Sequence, residues 1–293
     1  MKILVTGGGG QLATVLKDAT EDHIDEYVFF NKKQFDITDL GGLRSFRGLE
    51  NFDFIINAAA YTNVDGAEKN RVVADAVNHL GVKNLAKAVA GTKTRIIQIS
   101  TDYVFSGENH RPYLEDDSPN PISYYGETKL AGEKAILGGA KNGIIIRTSW
   151  LYSYSGMNFV KKMCKLIRKR SGEGLPIEVV SDQIGAPTSA ESLCRFLTQR
   201  IANGDFKSKN PEIYHFTDSG VASWYDLANA LGVSEDCKIW PTTTENYPTP
   251  AKRPHYSVLS LEKIRKEFGV IPWHWRGVLS DLLEFYGEEL FEE

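Results

Sequence analysis

Short apolar runs that alternate with helical patterns, and a glycine run directly after the first of them, predict an α/β chain built on a doubly wound parallel sheet. Composition is the third observation. The 293 residues are 42% hydrophobic and 25% charged, enough apolar side chain for a full core in one large domain or two modest ones. Disordered and disulfide-held miniprotein classes are thereby excluded.

The runs at residues 2–6, 27–30, 54–57, 95–100 and 143–147 read as strands buried on both faces. Helical patterns start between them near Gln11, Leu40, Val72 and Ser123. In the second half a basic amphipathic helix over about 158–170 precedes a strand at 177–180 and a helix over about 189–202. A strand at 214–216, a helix from about Ser223, a Pro-rich stretch over 240–254 and two final helices follow. Residues 1–150 are therefore expected to form a dinucleotide-binding domain, with 177–216 returning to its sheet. Residues 151–176 and 217–293 are expected to form a smaller mixed α/β lobe that binds substrate. A parallel sheet works at the carboxyl ends of its strands, here 7–13, 31–36, 57–65, 100–105 and 148–150.

Charge and cysteine use narrow the partners. Lys and Arg number 34 against 38 Asp and Glu, a net charge of −4, and no basic block stands out, so no nucleic-acid partner is expected. Cys164, Cys194 and Cys237 lie far apart without a CxxC, and the six histidines lack ligand spacing, so neither a disulfide framework nor a metal cage is expected. The amino-terminal run reaches glycine too soon for a signal peptide, and no stretch approaches the ~18 apolar residues of a membrane span. A reducing cytoplasm is the expected setting.

Gly7 to Gly10, followed by Gln11-Leu12-Ala13, lie between the first strand and the first helix. The spacing Gly7, Gly10, Ala13 fits the phosphate-binding turn of a Rossmann-type fold, where backbone and a helix N-terminus approach a pyrophosphate. After the second strand such folds carry an Asp or Glu when they select NAD. Here Asn31-Lys32-Lys33 stands instead, an amide and two ammonium groups that do not repel a 2′-phosphate. NADPH is the expected cofactor, with NADH still usable. Asp36-Ile37, a little further on, suits the adenine edge.

With 13 tyrosines and 21 lysines, roughly one YxxxK is expected by chance, so position carries the argument. Tyr125-Gly-Glu-Thr-Lys129 opens the helix before the 143–147 strand, and i, i+4 spacing puts both side chains on one face. The preceding strand ends in Ser100-Thr101-Asp102. A neighbouring ammonium is expected to lower the phenol toward acid–base range, and Thr101 can hydrogen-bond a carbonyl oxygen. The expected catalytic set is Thr101, Tyr125 and Lys129.

With these residues in view the chain resembles the extended short-chain dehydrogenase/reductases and, more narrowly, the dTDP-4-dehydrorhamnose reductase family. Asn57 to Asp65 (NAAAYTNVD), Ser100 to Phe105 (STDYVF), Tyr125 to Glu133, Arg147-Thr-Ser-Trp150, Asp182 to Thr188 (DQIGAPT) and Thr249 to Pro254 (TPAKRP) carry the resemblance. It implies reduction of the C4 ketone of a dTDP-linked 4-keto-6-deoxy sugar, with Tyr125 as acid. It also implies cofactor contacts by Gly10, Gln11 and Leu12 at the pyrophosphate, Asp36 and Ile37 at adenine, and Ala60, Tyr61 and Thr62 at the ribose side. Tyr125 and Lys129 would contact the nicotinamide ribose beside Ile99. Thr101 and Asp102 would contact the sugar and Trp150 would stack on it, while Asn158 and Arg253 fall where related enzymes hold the substrate diphosphate. Asn31 stands where members often have Asp. Some members bridge a dimer through a metal held by carboxylates; Val15 offers none in the first helix, so no metal is expected, and a homodimer is left open. Two other readings stay open: a reductase or epimerase of another nucleotide-linked sugar, and a non-catalytic subunit like the regulatory subunit of methionine adenosyltransferase.

Overall fold

The structure, a computed structural model, describes residues 1–291 except 141, 142, 172, 174 and 233–236. Those positions, with 292 and 293, are the parts of the expected lobe and of the 139–143 connection that lie outside the described residues. Six parallel strands form the main sheet: β1 (Lys2–Thr6), β2 (Glu26–Phe30), β3 (Phe54–Asn57), β4 (Arg95–Thr101), β5 (Ile144–Thr148) and an edge strand, Glu212–His215. The order is β2, β1, β3, β4, β5 and then Glu212–His215. The chain goes outward from β1 to β2 and then crosses back to β3, so a crevice opens at the carboxyl ends of β1 and β3, where ligands of such sheets bind.

Parity along the strands explains the two cores. Ile3, Val5, Ile56, Ile97, Ile144 and Ile146 point to one face, under the helices Gln11–Ala19 and Ala190–Ala202. Leu4, Ile55, Ile96 and Ile145 point to the other, under Val82–Ala88 and Tyr124–Gly139. Both faces are covered, which is why these strands read as unbroken apolar runs. Register places Thr6 opposite Asn57, Asn57 opposite Gln98, and Thr101 opposite Thr148, so polar residues line up at the site end of the sheet.

Ile177–Val180 does not return to the main sheet. It pairs in parallel with Ile239–Thr242, and Ile177, Val179 and Ile239 share a separate core with Val160, Leu227, Trp275 and Leu279. The reason is steric: the free edge of β5 is taken by Glu212–His215, in register from Glu212 opposite Ile144. The segment rejoins the main fold only from the helix Ala190–Ala202.

The helical pattern read from Val72 is three pieces: Arg71–Asp75, a π-helical turn Ala76–Gly81, and Val82–Ala88. Ahead of them Val64–Lys69, part of the expected site loop, is helical, with Asn63 as its cap accepting from the Gly66 nitrogen at 2.8 Å. The π turn sits hard against the helix Tyr124–Gly139, since a Cβ on Gly132 would lie 2.2 Å from the Asn78 carbonyl oxygen. Among the described residues no helix is long and apolar enough to cross a membrane.

Candidate active site

The glycine turn is pressed between β2 and the end of β3. Gly7 has φ +70°, and a Cβ there would stand 2.8 Å from the Ala59 nitrogen. Gly8 donates its N–H to the Phe30 carbonyl at 2.9 Å, and Gly10 donates to the Gly7 carbonyl at 2.8 Å. Gly10 caps the helix Gln11–Ala19 without a side chain, and no acid stands in its first turn. The first helical N–H groups are therefore available to an anion. Buried Gln11 Nε2 is likewise without a hydrogen-bond partner. A cradle that a side chain would fill, an orphaned donor and an uncapped helix N-terminus together fit a dinucleotide pyrophosphate.

Two depressions meet at this turn, sharing Gly10, Ala58 and Ala60. One, of about 570 Å³, is bounded by Gly7, Asn31, Lys32, Lys33, Asp36 and Ile37. The Asn31 side-chain oxygen accepts from the Lys33 and Gln34 backbone at 2.9 and 3.2 Å, which shapes the turn. The Lys32 ammonium is 75% exposed and 3.8 Å from Asp36 Oδ2. Asp36 Oδ1 accepts from the Thr38 backbone and hydroxyl at 2.9 and 2.7 Å.

The second cavity, of about 380 Å³, is lined by Gln11, Leu12, Thr62, Ile99, Thr101, Tyr125, Lys129, Trp150 and Asn158 among others. The YxxxK helix is capped by Ser123, whose hydroxyl accepts from the Gly126 nitrogen at 3.2 Å. Tyr125 hydrogen-bonds Thr101 at the end of β4. Lys129 donates from Nζ to the Ile99 carbonyl at 2.6 Å. This alters the expected electrostatics of the phenol: burial pushes Tyr125 above its ordinary value, against the lowering effect of Thr101, and the Asp102 charge adds to the rise. Burial outweighs any lowering influence at this position, so the phenol is not brought down as the spacing suggested. A phenol in that state holds its proton and can give it up to a strongly basic alkoxide. Burial draws Lys129 down to about 8 while Glu133 opposes, so the ammonium form prevails at neutral pH.

Tyr61, Asp102 and Arg253 lie outside both linings. Asp102 is 2% exposed and stands behind Thr101, whose hydroxyl donates to Asp102 Oδ1 at 3.0 Å. Burial pushes its carboxyl up to about 7, against hydrogen bonds from Ser257 and Thr101. Arg253 is turned toward Asp65 Oδ2 at 2.8 Å, and its other terminal nitrogen bonds Thr249 Oγ1 and the Ala251 carbonyl. Asn158 lines the cavity but its side chain is engaged: Oδ1 accepts from the Lys161 nitrogen at 3.1 Å, and Nδ2 donates to the Ser153 carbonyl at 2.8 Å. Trp150 has φ +48° and stacks on Trp224.

Several residues that organise this site escape sequence reasoning. Thr6 Oγ1 donates to Asn57 Oδ1 at 2.6 Å, Asn57 Nδ2 to Gln98 Oε1 at 2.7 Å, and Gln98 Nε2 to the Ile99 carbonyl at 2.8 Å. This buried relay crosses β1, β3 and β4 and ends on the carbonyl that holds Lys129. Asn78, in the π turn, accepts from the Tyr61 nitrogen at 2.9 Å and donates to the Tyr61 carbonyl at 3.0 Å and Thr128 Oγ1 at 3.1 Å. It thereby ties the 57–65 loop to the helix Tyr124–Gly139. Alignment of strands would have found the first set; nothing in the local sequence marks the second.

Spore coat polysaccharide biosynthesis protein SpsK of Bacillus subtilis is 38% identical over 285 residues, 97% of each chain. A dTDP-4-dehydrorhamnose reductase of Mycolicibacterium smegmatis is 39% identical over 287 residues, 96% of this chain and 84% of that one. The crystal structure of dTDP-4-dehydrorhamnose reductase from Bacillus anthracis in complex with NADP superposes with a TM-score of 0.88 at 32% identity, covering 97% of this chain and 99% of that one. The model of the RmlD substrate binding domain family matches residues 1–287, and the chain belongs to that family.

Proposed function

We propose that this protein reduces the C4 ketone of dTDP-4-dehydro-β-L-rhamnose to dTDP-L-rhamnose with NADPH, and accepts NADH less well. The observation that carries the reading is the convergence of Thr101, Tyr125 and Lys129 on one cavity that opens at Gly10 into the crevice beside Asn31–Lys33. NADPH, when bound, supplies the hydride. The chain's residues do the rest. Gly7, Gly10, Gln11 and Leu12 hold the pyrophosphate, and Asn31, Lys32 and Lys33 face the 2′-phosphate side. Asp36 and Ile37 border adenine, and Ala60, Thr62 and Ile99 border the ribose and nicotinamide, while Tyr61 anchors their loop to Asn78. Tyr125, kept protonated by burial, gives its proton to the ketone oxygen as that oxygen gains charge. Thr101 hydrogen-bonds the same oxygen. Lys129, pinned by Ile99, presents its ammonium to the ribose hydroxyls and the phenol. Asp102 positions Thr101, and Trp150 walls the sugar.

In this reading residues 1–150 carry the cofactor. The lobe built on 151–180 and 217–293 holds the sugar nucleotide, whose remote diphosphate supplies binding energy that orients the ketone. The product is an activated deoxysugar suited to glycosyl transfer, in keeping with a relative named for spore coat polysaccharide synthesis. The test is consumption of reduced nicotinamide across a panel of dTDP- and UDP-linked 4-keto sugars. One NADPH consumed per dTDP-4-dehydrorhamnose reduced supports the assignment. Isomerisation without net consumption would make it an epimerase, and turnover confined to another sugar would reassign the substrate.

A further inference from the structure

Behind the catalytic helix lies a buried ion pair that the reaction does not itself use. Glu133 and Arg147 are each 1% exposed and doubly joined, Nε to Oε1 at 2.9 Å and a terminal nitrogen to Oε2 at 2.8 Å. Ser100 Oγ also donates to Glu133 Oε1, at 2.5 Å. One carboxylate thus takes hydrogen bonds from both β4 and β5. Arg147 is enclosed on its remaining sides: it reaches the Glu115 carbonyl oxygen at 3.3 Å and His215 Nε2 at 3.4 Å, and lies 5.0 Å from the centre of the Phe105 ring. A buried ion pair is weak evidence for stability, because an apolar pair of similar volume often serves as well. Its position suggests a different use.

Glu133 stands one helical turn beyond Lys129, on the same face. Lys129 is 4% exposed, and its hydrogen-bond acceptor is the neutral Ile99 carbonyl. An ammonium in such surroundings loses its proton readily unless a negative charge faces it. We propose that Glu133, fixed in place by Arg147 and Ser100, is the counter-ion of Lys129 and a positioning residue for the reductase site. Lys129 and Glu133 are held by neighbouring residues of β4, Lys129 by the Ile99 carbonyl and Glu133 by the Ser100 hydroxyl, while Arg147 also reaches Glu115 and His215. Burial and Glu133 are the opposing influences on Lys129. Other groups facing the pair do not replace this charge. Tyr125 is held as a neutral phenol on the same helix, and Asp102, just past β4, faces Thr101 and Ser257. On the edge-strand side His215 is pushed well below its ordinary value by burial and stays neutral, while Glu115 is raised by burial.

The consequence for turnover rests on the proposed function; the ionisation of Lys129 does not. The test is an NMR titration of the cofactor-free protein labelled at the lysine ε-carbons, with the Lys129 signal assigned by its absence from Lys129→Met. Glu133→Gln is expected to move the Lys129 midpoint down by about one pH unit or more. Glu133→Gln/Arg147→Met leaves no unpaired ion, folds where the single variant fails, and shows the same shift. Glu133→Asp restores most of the wild-type titration. In kinetics the alkaline fall of kcat/KM moves down by the same amount. A Lys129 midpoint unchanged in the natively folded double variant would overturn the proposal. A shifted midpoint in a protein whose wild type has no reductase turnover would instead overturn the functional reading and leave the counter-ion in place.

Discussion

Trp150 lies flat on Trp224, ring centroids 3.6 Å apart and planes 5° from parallel, while its own backbone is in the left-handed region at φ +48°. That conformation is costly for a bulky side chain, and it persists where the surroundings over-determine it. Here they do. Trp224 Nε1 donates to Gln183 Oε1 at 3.2 Å, Phe159 packs 4.6 Å from Trp224, and a Cβ on Gly185 would come within 2.6 Å of the Trp150 ring. Trp224 contributes no atom to the cavity lining, so its work is to hold Trp150 there. Trp224→Ala should raise KM for the sugar nucleotide by roughly 3- to 12-fold, the worth of one aromatic pair, with kcat nearly unchanged. Equal loss in kcat would mean that the stack aligns the reacting carbon too.

Thr101 has one proton to give, and in the structure it goes to Asp102 Oδ1 at 3.0 Å. When Asp102 is protonated it can donate to Thr101 instead, freeing the threonine hydroxyl for the ketone. Burial pushes this carboxyl up to about 7, so the protonated form is filled as pH falls through that value. Turnover should therefore decline as pH rises above about 7, before Lys129 titrates near 8. Asp102→Asn, whose amide always donates, should erase the lower of these two steps. A pH profile identical to wild type in that variant would remove Asp102 from the control of Thr101.

Arg253 closes the Pro-rich loop onto Asp65, with their charged atoms 2.8 Å apart, and Asp65 Oδ1 accepts from the Ala251 nitrogen at 3.1 Å. The side chains are 19% and 37% exposed, so part of the attraction is screened by water. Arg253→Ala should lower unfolding stability by about 1–2 kcal/mol. In a double-mutant cycle with Asp65→Ala the losses should be markedly less than additive. Additive losses in thermal or urea unfolding would show that the two residues act independently.

Cofactor choice should follow the Asn31–Lys33 turn. Lys32 borders the crevice with its ammonium near Asp36 and no ribose-binding carboxylate ends β2. Exposure limits each ammonium to a modest contribution, so NADPH should exceed NADH by about 3- to 30-fold in kcat/KM. Lys32→Ala/Lys33→Ala should erode that ratio and spare NADH kinetics. Equal losses with both cofactors would assign the lysines to the loop's shape.

Strands β1 and β3 were legible residue for residue because burial on both faces leaves an unbroken apolar run between turn residues. The strand Ile177–Val180 was equally legible, but its partner was not: pairing depends on which edge is vacant, and Glu212–His215 had filled the obvious one. Val64–Lys69 escaped because six residues with Gly66 inside show little periodicity. In the site, Tyr125 and Lys129 announce themselves by spacing. Asn57, Asn78 and Glu133 do not, since a buried polar side chain and an exposed one look alike in a sequence. The expected lowering of the phenol failed for a related reason: spacing places Lys129 beside Tyr125 but cannot show how deeply the phenol is buried, and burial raises it.

Hydride transfer from nicotinamide to C4 of a dTDP-linked keto sugar is the step on which the proposed function rests. Reduction of dTDP-4-dehydrorhamnose with NADPH deuterated on each face of the nicotinamide in turn, followed by NMR of the product sugar, tests it directly. Deuterium is expected at C4 of the rhamnose ring from one of the two labelled cofactors, with one NADPH consumed for each sugar. Label retained on the nicotinamide with both cofactors, or deuterium at any other carbon of the sugar, would contradict it.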